Sequence, residues 1–302
     1  MRRIVALFGL VVMLTSCFHN ADEPGIHNLE DWEAFVQTIN AGVRPTTWED
    51  SDGVVRLRGN LNLKRWKTPC PVGATEETPF QGIFDGGNYT ISGLHLKSDS
   101  LYVGLFGVNC GTIRRLHLAD NCRFESSHAT GFTGAVCGDN YGRVEHCVSD
   151  AEVVGAGCVG GIVGRSQSDP ASAVVPLVSR CTNQGTVSST GVSAGGIVGM
   201  SERAKVVDSK NEGAIRCTGM YAGGVVGLNG GLVRGCENQA PIRGKHYAGG
   251  VLGANSAKGT LEDVKNSAPV QAETIGEIVG EDFTKAIVDE DILQEHYHRE
   301  HP

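Results

Sequence analysis

One pentapeptide recurs along most of this chain and restricts the folds open to it: two small residues, two apolar residues, then glycine. The copies are Val103-Gly104-Leu105-Phe106-Gly107, Gly134-Ala135-Val136-Cys137-Gly138, Gly160-Gly161-Ile162-Val163-Gly164, Gly195-Gly196-Ile197-Val198-Gly199, Gly223-Gly224-Val225-Val226-Gly227, Gly249-Gly250-Val251-Leu252-Gly253 and the degenerate Gly276-Glu277-Ile278-Val279-Gly280. With the last glycine as phase mark, the steps are 31, 26, 35, 28, 26 and 27 residues. Each period holds three short apolar segments separated by Gly, Asn and Ser, which is the pattern of strands and turns. Helical solenoids need ten or more residues of helical periodicity per element, and none is present. A propeller blade needs roughly 40 to 45 residues, and a leucine-rich repeat needs a leucine ladder that is missing here. The spacing therefore predicts one coil of a right-handed parallel β-helix per period. At a strand spacing of about 4.8 Å, eight coils make a rod roughly 40 Å long.

In such a rod, residues one period apart lie above one another. Asn183, Asn211, Asn238 and Asn266 recur at 28, 27 and 28 residues and read as a ladder that supports turns. Cys147, Cys181, Ser209, Cys236 and Val264 share a second phase, and Val187, Ile215, Ile242 and Val270 a third; both read as interior columns. The glycines are expected to supply positive φ at corners and close approach between coils. A disulfide between stacked cysteines is spatially conceivable, but in-register stacking gives it poor geometry.

The chain starts Met1-Arg2-Arg3, continues through an apolar run Ile4 to Leu14, and reaches Leu14-Thr15-Ser16-Cys17. A basic start, a short apolar run and small residues before a cleavage point describe a secretory signal peptide over 1–16. Leu-x-Ser-Cys resembles the lipobox of bacterial lipoproteins. That resemblance implies lipidation of Cys17, a membrane partner through the lipid, and a linker over 17–27. Nine cysteines remain besides Cys17, with no Cys-x-x-Cys pair, so a structural zinc site is not expected. Removing Arg2 and Arg3 from the 26 basic residues leaves 24 against 34 acidic ones, a net charge near −10. Such a balance excludes a nucleic-acid partner, which requires Lys and Arg to neutralise phosphate.

The Gly-Gly-Ile-Val-Gly units, each followed by a strand and an Asn-x-Gly turn, are similar to the GLUG motif of bacterial surface proteins. Phe80 to Leu94 resembles the first full coil of those proteins, and Val55 to Leu63 with Trp66 to Gly73 the strands and loop before it. The resemblance spans residues 28–280. It departs at Val103, Ala135 and Glu277 and at a longer insert, Ser166 to Pro176. A lipobox joined to such repeats implies a surface lipoprotein of the Bacteroidetes kind, held in the cell envelope at the outer membrane or cell surface.

Around the solenoid (54–280), the sequence predicts a capping helix and loop over 28–53 and a polar tail or cap over 281–302. Asn28 is the expected N-cap and Gly42 the stop, with Leu29, Trp32, Val36 and Ile39 on one apolar stripe that plugs the N-terminal end of the rod. No His-Glu-x-x-His occurs, and no cofactor or metal is expected; His296, His298 and His301 read as a solvated tail. Asp85-Gly86-Gly87-Asn88 reads as a turn, because it lacks calcium-loop spacing. Asp120, Asp139, Glu145, Asp150 and Glu152 crowd the early coils without forming an obvious catalytic pair. Phe132, Tyr221 and Tyr247 share one phase, as core if it faces in and as sugar-stacking platforms if it faces out. The function expected is non-enzymatic: adhesion, or binding of an extracellular glycan or protein, with the insert as the place for a site. The alternative is a polysaccharide-degrading enzyme on the same scaffold.

Overall fold

The computed structural model describes residues 23–169 and 171–284. Cys17, the segment before it and the three histidines of the tail lie outside them.

The chain is an all-β parallel solenoid with one helix near its N-terminus. The coil marked by Gly138 shows the plan, with five short strands: Phe132–Gly134, Cys137–Asn140, Arg143–Glu145, Val148–Ser149 and Glu152–Gly155. These define faces one to five of the rod. Each strand pairs in parallel with its counterpart one coil on, as in Phe132↔Cys158, Asp139↔Arg165 and Val153↔Val187. Face four alone stacks eight strands, so the rod has about eight coils. In two later coils faces two and three run together as single strands, Val198–Val207 and Val226–Arg234.

The motif glycines do half of what the sequence suggested. None of them has positive φ. They are required by close approach: a Cβ on Gly199 would stand 2.6 Å from the carbonyl oxygen of Gly164 and 2.7 Å from the backbone nitrogen of Val159. The left-handed corner lies elsewhere, between faces three and four. There Arg115, His146, Arg180, Asp208, Gly235 and Asp263 stack at φ of 52°, 54°, 52°, 51°, 64° and 49°. Five of these six are not glycine, which is why composition did not reveal the corner.

The interior columns stand where expected. Cys147, Cys181, Ser209 and Cys236 are buried, as are Val187, Ile215 and Ile242. All nine cysteines of the described residues are free thiols. The asparagine ladder is continuous. Asn183 Nδ2 donates to Asn211 Oδ1, Asn211 to Asn238 and Asn238 to Asn266, each at 2.8 Å. Each of these amides also donates to the carbonyl two residues on, so a single side chain ties its own turn and the neighbouring coil.

Helix α1 spans Leu29–Asn40, with Asn28 Oδ1 accepting from the Asp31 N–H at 2.9 Å. Gly42 ends it at φ 72°, with the Val43 N–H returning to the Thr38 carbonyl at 3.0 Å and the Gly42 N–H to Ile39 at 2.9 Å, a Schellman closure. Trp32, Phe35, Val36 and Ile39 are buried. Phe35, absent from the expected stripe, sits at the centre of the cap, with ring centroids 5.9 to 6.2 Å from those of Trp48, Phe80 and Phe84. The far end is different: in the described residues there, Ile275 is 55% and Phe283 38% exposed.

Candidate functional site

A second polar column, not recognised in the sequence, stands where the rod departs from regularity. It stands two residues beyond each Gly mark: Asn109, Asn140, Ser166, Ser201, Asn229 and Asn255, all buried. Asn109 Nδ2 donates to Asn140 Oδ1 at 2.7 Å, Asn140 to Ser166 Oγ at 3.1 Å and Asn229 to Asn255 Oδ1 at 2.9 Å. Asn109, Asn140 and Asn229 each close a tight Asn-x-Gly turn, accepting from the N–H of Gly111, Gly142 and Gly231 at 3.1 to 3.2 Å. Neither serine closes such a turn: Ser166 Oγ is taken by Asn140. After Ser166 the chain runs out into the insert before resuming at Leu177. After Ser201 the register slips in a bulge between Glu202 and Lys205. Ser201 Oγ is left buried with no partner in the protein.

These two loosened turns border a groove of about 490 Å³, lined among others by Glu76, Cys110, Tyr141, Gln167, Asp169 and Val174. Beside it lies a polar network. Asp139 is fully buried and accepts from Arg165 Nε at 3.1 Å and Nη2 at 2.6 Å. Gln167 Nε2 donates to Asp139 at 3.1 Å and to Tyr141 Oη at 2.6 Å. Tyr102 donates to Glu76. Burial pushes the Asp139 carboxyl above the usual carboxylate range against the pull of Arg165 and Gln167. Burial and Glu76 raise the Tyr102 phenol, and burial and Asp139 raise Tyr141. Burial, reinforced by Asp139, Asp169 and Glu76, also raises the Cys110 thiol, which is therefore no thiolate nucleophile near neutral pH. The groove thus presents the carboxylates of Glu76 and Asp169, the Gln167 amide and the Tyr141 phenol, a set suited to binding hydroxyl groups.

The aromatic column resolves into two pairs. Phe132, Tyr221 and Tyr247 are half-buried, while the next residues, Thr133, Ala222 and Ala248, are fully buried. The column therefore stands on the side of its strands away from the interior. Phe132 is already engaged, stacked on Tyr102 at 6.2 Å with the Arg165 guanidinium 3.8 Å from its ring centroid. Tyr221 and Tyr247 pair with each other at 5.7 Å, apart from the groove.

The acids singled out in sequence do not gather. Glu145 pairs with Arg143 at 2.7 Å, Glu152 with Arg123, and Asp150 with His117 at 2.8 Å, on three different faces. What does gather is Glu76, Asp139 and Asp169, from a loop, a strand and the insert; only Asp139 was among the candidates. Asp85 is fully buried, is ion-paired with Arg56, Arg114 and Arg115, and accepts from the Gly87 N–H at 3.0 Å, so its carboxylate is committed to a turn and to arginine. His117 also reaches Thr90 Oγ1 through Nδ1 at 3.2 Å, which makes a hydroxyl–imidazole–carboxylate chain with Asp150.

No family model matches the chain, and no curated protein matches it. Among solved structures it is similar to the crystal structure of "a putative immunoglobulin A1 protease" from Bacteroides ovatus, with a TM-score of 0.69, 18% identity, and coverage of 87% of this chain and 85% of that one. At that identity the likeness concerns the fold.

Proposed function

We propose that this chain is a lipid-anchored, non-enzymatic surface module that binds a glycan or protein in the groove beside the insert. The observation that carries the reading is the pair of Ser-for-Asn replacements. They fall at two successive turns, one extended by the insert and one bulged, where Glu76, Tyr141, Gln167 and Asp169 converge. The GLUG-like repeats and the lipobox at Cys17 support a place on the cell envelope. Palmitate incorporation that is abolished by Cys17→Ala is the expected result for the anchor.

A second reading, hydrolysis, is favoured by the Thr90–His117–Asp150 chain and by the name of the structural neighbour. Against it, the Thr90 N–H is already donated to Asn60 Oδ1 at 2.9 Å, and Thr90, His117 and Asp150 line none of the grooves described. A hydrolase needs donors aimed at a developing oxyanion. A glycan array combined with a reducing-end release assay separates the readings. Binding without release, lost in both Asp169→Ala and Val174→Asp, is expected; release of reducing ends that disappears in His117→Ala would overturn the binding module.

A further inference from the structure

We infer that Arg203 anchors an anionic group of an unbranched acidic glycan lying along the rod axis, an assignment that rests on the groove reading above. Arg203 lines two cavities at once: the groove of about 490 Å³ and a second one of about 260 Å³ further along the rod, bordered by Met200, Leu228, Ser256 and Lys258. Together they run from the coil of Val108 to that of Lys258, five coil spacings or roughly 24 Å, enough for a short oligosaccharide.

Two features besides its place between the cavities set Arg203 apart. Its backbone sits at φ 50°, inside the bulge between Glu202 and Lys205. A non-glycine residue in that region is strained, and bulges of this kind re-aim side chains beside sites. Its guanidinium forms no ion pair among the described residues, a state shared with Arg65, Arg180, Arg216 and Arg243, but of these Arg203 alone lines the two cavities. In a chain of net charge −8, an unpaired guanidinium shared by two cavities is a position held open for an incoming anion. Lys258 in the second cavity is also free of carboxylate partners among the described residues.

The walls favour sugar over peptide. The strands beneath the cavities are paired on both sides: Val163–Gln167 lies between Cys137–Asn140 and Val198–Val207, and the latter between it and Val226–Arg234. No free row of backbone donors exists there for an extended peptide to join. Glu76, Gln167 and Asp169 offer side-chain partners for hydroxyls, Met200 and Leu228 an apolar surface for a ring face, and Arg203 a bidentate partner for a uronate carboxylate.

The test is calorimetric titration of the full-length protein with oligogalacturonate, oligoalginate and hyaluronan oligosaccharides, each beside its carboxyl-reduced neutral counterpart. Arg203→Gly removes the cation and relieves the backbone, so folding is retained; Arg203→Lys keeps the charge. At least one acidic chain is expected to bind tenfold or more tightly than its neutral counterpart. Arg203→Gly should bring it to the neutral level without lowering Tm, and Arg203→Lys should recover part of the difference. Equal affinity for acidic and neutral forms, an unaffected Arg203→Gly variant, or no binding of any acidic chain would each overturn the assignment. Neutral binding that is lost in Asp169→Ala but indifferent to Arg203 would overturn it while leaving the groove reading intact. Sugar binding indifferent to every groove variant would remove both.

Discussion

Asp85 shows how a buried charge is held in this rod. Burial opposes its ionisation, yet Arg115, the Gly87 N–H and Arg114 bring the carboxyl below its ordinary range. The folded pKa is depressed, so the stabilisation is present above the unfolded carboxylate value and is lost as pH falls through the folded one. Asp85→Asn is expected to destabilise by about 3 kcal/mol at pH 7, toward the lower end for a broken buried pair because the arginines are partly solvated. The gap between variant and parent in urea titration should shrink at pH 3. A gap that grows at pH 3 would show that the pairing is not what holds Asp85. Arg180 tests the left-handed corner. It is exposed, at φ 52°, and forms no ion pair among the described residues. Arg180→Gly should therefore raise stability by about 1 kcal/mol, strain relief exceeding the added freedom of the unfolded chain. A lowered Tm would mean the Arg180 side chain contributes more than its backbone costs.

Among the elements, α1 acts through its aromatics more than its length. Twelve residues are marginal as an isolated helix in water, so burial of Trp32, Phe35, Val36 and Ile39 on the first coil must hold it. Phe35→Ala is expected to cost about 3–5 kcal/mol, because its ring meets Trp48, Phe80 and Phe84 at once. Chemical denaturation followed by tryptophan fluorescence reads this directly, since Trp32 and Trp48 flank the cavity created. A cost under 1 kcal/mol would show that the helix lies on the rod without closing it. The sequence showed the helix, its N-cap and its stop. It did not show that Phe35 is the centre, because a stripe read at helical spacing cannot tell which side faces a floor formed by Phe80 and Phe84, far along the chain.

The whole molecule is quasi-one-dimensional, each coil touching only its neighbours, so local stability is set by how well each coil is covered. The first coils lie under α1 and an aromatic cluster; the last described ones have Leu261, Val264, Val270 and Ile278 only partly buried. Hydrogen exchange is expected to be slowest around Phe84, Phe106 and Val144 and to quicken progressively beyond Leu252. Uniform protection along the rod, or fastest exchange in the first coils, would contradict this picture. Binding along the groove should protect the Ser166 to Lys205 segment most, since both loosened turns lie there.

What the sequence by itself determined is everything that repeats: the coil, its phase marks, the Asn183–Asn266 ladder and the interior columns. Stacking in register makes each of these a consequence of spacing alone. Even the groove left a trace, the serines at 166 and 201 between the asparagines at 109 and 140 and those at 229 and 255, legible once that column is known. Only the tertiary structure decided what meets across coils and loops. Glu76 and Asp169 join Asp139 through a loop and an insert that obey no period. The motif glycines answer to a backbone one coil away, and Arg203 earns its place between two cavities through a bulge that one extra residue creates. Periodicity fixes position along a ladder; contacts made by the exceptions depend on where the surrounding coils place them.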